Sequence, residues 1–153
     1  MRVEKDFKEF IELLNKNNVK YLIIGGFAFT YYAKPRFTKD IDIFVEASEE
    51  NSRKIIDVLD QFGFGNIGLN EKDFQGPDQI IQLGYAPLRI DILTSIIGVN
   101  FGSAWNNKKD GLYGDISCFF MSIEDLIKNK EATARPLDIE DAKILKKSKE
   151  NKQ

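Results

Sequence analysis

Asp40-Ile41-Asp42-Ile43-Phe44-Val45 decides the fold of this chain, because it alternates acid with apolar residue and then runs apolar. That pattern is a β-strand with one acidic side. Residues i and i+2 of a strand point the same way, about 6.6 Å apart at roughly 3.3 Å per residue. Asp40 and Asp42 therefore share a side and repel each other. Taken alone, the pair also suits the wet face of an edge strand. Just upstream, Tyr21-Leu22-Ile23-Ile24 is a short apolar run closed by Gly25-Gly26, which reads as a buried strand. Residues 27–33 suit a short helix packed behind it, and Pro35 holds 34–39 out of helical geometry as a loop. Downstream, Arg89-Ile90-Asp91-Ile92-Leu93 places a third acid in the same setting. If the two strands are neighbours, Asp91 completes a cluster.

Helices and further strands are expected around this centre. Val3, Phe7, Phe10, Ile11 and Leu14 fall at helical spacing over 3–16. Ser48 caps a helix over 51–62 that Gly63 stops. Residues 64–77 read as an irregular connection. Strands are expected over 79–84 and 88–93, joined by a turn at 85–87, and over 115–121. Residues 98–111 read as a loop around the lone Trp105. Ser122-Ile123-Glu124-Asp125 matches a capping-box start for a helix to about Ala134, which Arg135-Pro136 breaks. A last helix is expected over 137–147, with a frayed tail at 148–153. The expectation is one α/β (α+β) domain over 1–147, with helices flanking a mixed sheet and no repeat or linker.

Composition narrows the chemistry. Histidine is absent and Cys118 is the lone cysteine, which excludes Ser-His-Asp catalysis, histidine-ligated zinc and an intrachain disulfide. Within Ile116-Ser117-Cys118-Phe119-Phe120 that cysteine reads as a core residue. The 22 basic and 24 acidic residues give a net charge of −2, without the basic excess of a dedicated nucleic-acid binder. Lys128, Lys130, Arg135, Lys143, Lys146 and Lys147 form either a local basic patch or a solvated helix face. No apolar run approaches the roughly 18 residues that span a bilayer, and Met1–Asp6 lacks the apolar core of a signal peptide. A cytoplasmic protein without a membrane partner is expected.

Carboxylates acting through a hard metal are then the natural suspects. A cation between Asp40 and Asp42 removes their repulsion, and magnesium suits oxygen ligands while leaving room for substrate phosphates. Three acids on adjacent strands suit two metals about 4 Å apart. Glycines after a strand are ordinary turn residues, but they also let a backbone approach phosphate closely. Together, Gly25-Gly26 and the acids suggest a nucleoside triphosphate, with its phosphates on the glycines and metals on the aspartates.

Ile23-Ile24-Gly25-Gly26, Asp40-Ile41-Asp42 and Asp91, in that order and with residues 27–39 as spacer, resemble the polymerase-beta-type nucleotidyltransferase superfamily. The string from Gly25-Gly26-Phe27-Ala28 through Arg36-Phe37-Thr38-Lys39-Asp40-Ile41-Asp42-Ile43 is similar to its compact bacterial branch of antibiotic nucleotidyltransferases and abortive-infection-type toxins. Residues 125–132 and Arg135-Pro136-Leu137-Asp138-Ile139-Glu140-Asp141 extend the resemblance. It implies metal-dependent transfer of a nucleoside monophosphate from an NTP to a hydroxyl acceptor. Asp40, Asp42 and Asp91 would be the catalytic, metal-holding residues for Mg2+, two ions being expected. Gly25, Gly26, Lys39 and Lys130 would lie on the nucleotide side. Arg135, Asp138 and Asp141 would be structural or substrate-side residues, with an Arg135–Asp141 ion pair the plainer reading. Many members carry Ser after the first glycine; Gly26 here leaves only backbone N–H groups. The acceptor stays open among a small molecule, RNA and a protein, and a homodimer is plausible. The alternative is a catalytically idle, antitoxin-like partner module of the same fold.

Overall fold

Two short strands set the architecture. β1 (Tyr21–Ile24) is buried at every position, and it pairs antiparallel with β2 (Asp40–Val45), Ile24 lying opposite Asp42. A computed structural model describes residues 3–84 and 88–151. On the other side of β2 runs β4 (Arg89–Leu93), parallel to it, with Asp40 opposite Arg89 and Asp42 opposite Asp91. A parallel pair needs a long crossover; here it contains α3 (Glu49–Phe62), a 3-10 turn at Glu71–Phe74 and β3 (Ile80–Leu83), which pairs antiparallel with β4. Beyond β1 lie β6 (Ile116–Phe120), parallel to it, and β5 (Lys109–Tyr113), antiparallel to β6. The mixed sheet has the order β3-β4-β2-β1-β6-β5.

Helices close the core by burying apolar stripes. α1 (Lys5–Lys16) buries Phe7, Phe10, Ile11 and Leu14, and Phe10 meets Phe62 of α3 edge-on at 5.2 Å. α3 is capped by the Ser48 hydroxyl, which accepts from the Asn51 N–H, and it ends at Gly63 with φ 101°. Asn51 is buried and ties the strands together: its amide accepts from the Lys20 N–H and donates to the carbonyls of Lys20 and Glu46. The remaining long elements are α2 (Gly25–Tyr32), α5 (Ile123–Thr133) and α6 (Pro136–Asn151), with α5 and α6 packed on each other and α6 against α2. Cys118 is buried, and burial pushes its thiol up to about 12, as suits a core residue.

Four expectations are corrected. Residues 98–111 are not a loop: they form α4 (Phe101–Asn106), capped by the Asn100 side chain, and β5. What organises them is tertiary, since Phe101 packs edge-on against Phe44 at 5.0 Å and Trp105 against Phe119 at 5.3 Å. The connection over 64–77 includes the 3-10 turn, whose Asn70 and Asp73 form a capping box. At Ser122 only one half of the expected box is seen: its hydroxyl accepts from the Asp125 N–H, while Asp125 Oδ2 is buried without a partner. Finally α6 continues to Asn151, past the tail expected to fray from 148, and the Ser148 hydroxyl donates to the Tyr32 carbonyl. The turn expected at 85–87 lies outside the described residues. Among the described residues no helix is long and apolar enough to cross a membrane.

α5 and α6 are joined through Ala134, held in the left-handed region at φ 59°. An L-residue with a Cβ costs about 1 kcal/mol there, and glycine relieves that cost. Ala134→Gly is therefore expected to raise the melting temperature by a few degrees, as read by circular dichroism; a lower melting temperature would contradict this account of the joint.

Candidate active site

The sheet brings Asp40, Asp42 and Asp91 together through the parallel pairing of β2 and β4, which sets Asp42 beside Asp91. The end of β1 delivers the glycines to the same place. Gly25 adopts φ 67°, and a Cβ built on it would be driven into the Asp42 carboxylate. Glycine is required there on both counts. The glycines are not a loop before the helix, as expected, but the first turn of α2 itself. Ile24, at the N-cap, offers no side-chain cap, so the opening N–H groups of α2 lack that partner and suit an anion. Gly26 faces Thr38, 3.2 Å from where its Cβ would stand, and the Thr38 hydroxyl donates to the Asp40 carbonyl. Lys39 is exposed beside Asp40.

A fourth side chain, whose role the sequence did not reveal, joins the acids. Arg89 donates from Nε to Asp91 Oδ1 at 2.8 Å, and from Nη2 to Asp91 Oδ2 at 3.1 Å and Asp40 Oδ2 at 3.0 Å. Its signal was present in the strand register: a base two positions before Asp91 points to the same side. Asp42 is left without a cation of its own. Burial, then the charge of Asp91 and a hydrogen bond with it, then Asp40, push its carboxyl up to about 7, with Arg89 pulling the other way.

The donor set suits a hard cation. It is all carboxylate oxygen, which is magnesium chemistry, and it includes an acid whose charge is poorly compensated. With Arg89 joining Asp40 to Asp91, no group of three or more His, Cys, Asp or Glu among the described residues is arranged to hold a metal ion. The ligand types fit; their present arrangement serves a guanidinium.

A family profile described as "Nucleotidyltransferase of unknown function (DUF6036)" matches residues 2–148. The chain belongs to this nucleotidyltransferase family. No curated protein matches it by sequence. Among solved structures it is similar to the lincosamide antibiotic adenylyltransferase LnuA in its lincomycin-bound crystal structure, with TM-score 0.55 and 19% identity over 94% of this chain and 96% of that one. At that identity the likeness speaks to the fold, and it runs through the whole domain.

In this nucleotidyltransferase the 34–39 loop is anchored from behind by an ionic network. Arg36 stacks over the Phe29 ring at 3.9 Å and grips Asp141 with both terminal nitrogens, at 2.9 and 2.6 Å. Lys130, read from the sequence as a nucleotide-side residue, is buried here and donates to Asp141 at 3.0 Å and Asp138 at 3.4 Å. Arg135 pairs with Asp138 rather than with Asp141. Burial pushes Asp141 up, but hydrogen bonds from Arg36 and Lys130 outweigh it and leave the carboxyl below its ordinary range. Separately, a cleft of about 600 Å³ opens at the far end of α2, lined by Tyr31, Tyr32, Lys109, Ser122, Glu124 and Lys149.

The raised Asp42 carboxyl makes a pH prediction for this nucleotidyltransferase. Its folded value of about 7 lies above the ordinary 3.8, so between those values the folded state binds more protons than the unfolded one. Stability then falls as pH rises across that window. With a chelator present, the melting temperature should drop between about pH 4 and about pH 7 in wild type, and drop less in Asp42→Asn. Identical pH profiles would show that Asp42 ionises like an ordinary aspartate.

Proposed function

We propose that the chain transfers a nucleoside monophosphate from an NTP to a hydroxyl of a small-molecule acceptor, with Mg2+ held by Asp40, Asp42 and Asp91. The observation that carries this reading is the register of β2 and β4, which sets Asp42 beside Asp91 directly against the glycine opening of α2. The N–H groups of Gly25 and Gly26 would take the triphosphate, helped by the positive end of α2. Lys39, exposed next to Asp40, adds a cation on the same side. Lys130 contributes through Asp141 and Arg36, holding the 34–39 loop against Gly26. Mg2+, when bound, lowers the pKa of a nearby hydroxyl and offsets charge on a departing pyrophosphate. The acceptor oxygen bonds to the α-phosphorus as the bond to the bridging oxygen of pyrophosphate breaks, and the hydroxyl proton passes to Asp91.

The cleft beyond α2 supports a small-molecule acceptor. Its volume falls within the roughly 300–1,000 Å³ of ordinary ligand pockets, and its two tyrosines stand among a largely polar lining that includes Lys108, Lys109, Glu124 and Lys149. Gly25 and Tyr32 lie about 11 Å apart at 1.5 Å per residue of helix. An acceptor anchored on Tyr31 would have to reach about that far along α2 to meet the carboxylates. LnuA, the neighbour in fold, is an antibiotic adenylyltransferase.

Thermal melting with each of the four NTPs, with and without Mg2+, tests the donor side. A nucleotide at 100 times its dissociation constant adds about 2.7 kcal/mol, and that gain should require Mg2+ and vanish in Asp42→Asn. The same variant should keep its fold and lose transfer; wild-type turnover in it would sink the mechanism. On the acceptor side, Tyr31→Ala should raise the KM for the acceptor and leave the NTP-dependent melting shift as in wild type. A variant that instead loses the NTP shift would place the nucleotide, not the acceptor, in the cleft.

A further inference from the structure

Arg89 occupies an unusual position for a residue so close to three acids. It donates three hydrogen bonds to the two carboxylates that flank Asp42, yet 36% of its side chain remains exposed. Its backbone is fixed separately, by the N–H to the Lys39 carbonyl and by the β2–β4 ladder. The guanidinium can therefore leave the acids without unpacking the strand. A divalent cation needs the same oxygens, and two cations a few ångströms apart repel. Resting on the nucleotidyltransferase reading above, we propose that Arg89 is an exchangeable counter-ion: it holds Asp40 and Asp91 until a divalent cation takes them, and its released guanidinium then binds the triphosphate.

The chemistry of the fork supports the second half. Five donors in a rigid plane match phosphate oxygens as well as they match a carboxylate. On release, Arg89 stays tethered two register positions from Asp91, on the same side of the strand, where the first turn of α2 opens. Cation and nucleotide then assist each other, because the cation frees the arginine and the phosphates receive it. A residue that merely braces the strand has no reason to act on the two ligands in opposite directions.

That opposition is the test. Arg89→Gln keeps a polar, hydrogen-bonding side chain, though a shorter one with fewer donors, and removes the competing charge. Mn2+ titration of metal-stripped protein, followed by electron paramagnetic resonance, should give about tenfold tighter binding in Arg89→Gln than in wild type. The NTP-dependent melting shift at saturating Mg2+ should be smaller in the same variant. If Arg89→Gln unfolds when stripped of metal, Arg89→Lys carries the test, since a single ammonium cannot bridge Asp40 and Asp91 as the fork does; intermediate tightening is then expected. Mn2+ binding that is unchanged or weaker in these variants, but abolished by Asp42→Asn, would overturn the counter-ion role and leave the metal site standing. Absence of Mn2+ binding in wild type and variants alike would overturn both.

Discussion

Three carboxylates on adjacent strands repel, and the rest of the molecule is arranged around that fact. The parallel pairing of β2 with β4 sets Asp42 opposite Asp91, and Asp40 stands two residues away on the same side. At spacings of 4–6 Å such groups raise one another's pKa unless a cation intervenes. Arg89 pairs with Asp40 and Asp91, while Asp42, half-buried against Asp91, keeps a raised carboxyl. An ordinary sheet gains nothing from this crowding. A strand needing only solubility would place its acids at the exposed edge, where β3 and β5 already lie, not at the junction of β2 and β4 beside the buried β1.

Backbone geometry completes what the charges begin. Gly25 is the point where β1 turns into α2, and its left-handed φ aims the helix start at Asp42. Any side chain there would displace the carboxylate. The chain brings a helix N-terminus and an acid cluster into contact, a juxtaposition of partial positive and full negative charge that draws a phosphate and its counter-cation together. Gly26 serves a different neighbour, allowing Thr38 to close against the first turn. Because Gly26 offers no hydroxyl, a phosphate bound as proposed would rely on N–H groups held by the helix, which are rigid where a serine would be rotatable.

Much of this was legible in the sequence, because the signals were local. Alternation in Asp40–Val45, the apolar run at Tyr21–Ile24, the Ser48 cap and the Gly63 stop each depend on neighbours in the chain, and each appears where expected. What escaped was set by contacts distant in sequence. Phe101 and Trp105 convert an apparent loop into α4 by packing on Phe44 and Phe119, and no periodicity in six residues announces that. β5 is mostly exposed and pairs only with β6, so its residues carry little apolar pattern to read. Lys130 looked like a nucleotide-side lysine, whereas its partners Asp138 and Asp141 lie on the following helix. Arg89 stood in view on its strand, but its meaning depends on the register with β2.

Lys130, Arg36, Asp138 and Asp141 show how the second half of the chain reaches the site. Burying such ions costs desolvation that mutual attraction only partly repays, so stability alone is a weak reason to keep them. Position is a stronger one. The loop at 34–39 has no strand or helix of its own, and Phe37 in it is 77% exposed; nothing apolar holds its course. Arg36 supplies the constraint, pressed on Phe29 and gripped bidentately by Asp141, whose other bond comes from Lys130. A bidentate pair fixes direction as well as distance. The helices α5 and α6 thereby set where Thr38 meets Gly26 and where Asp40 enters β2, which is how a domain this small ties its C-terminal helices to a candidate site built on β1, β2, β4 and the start of α2.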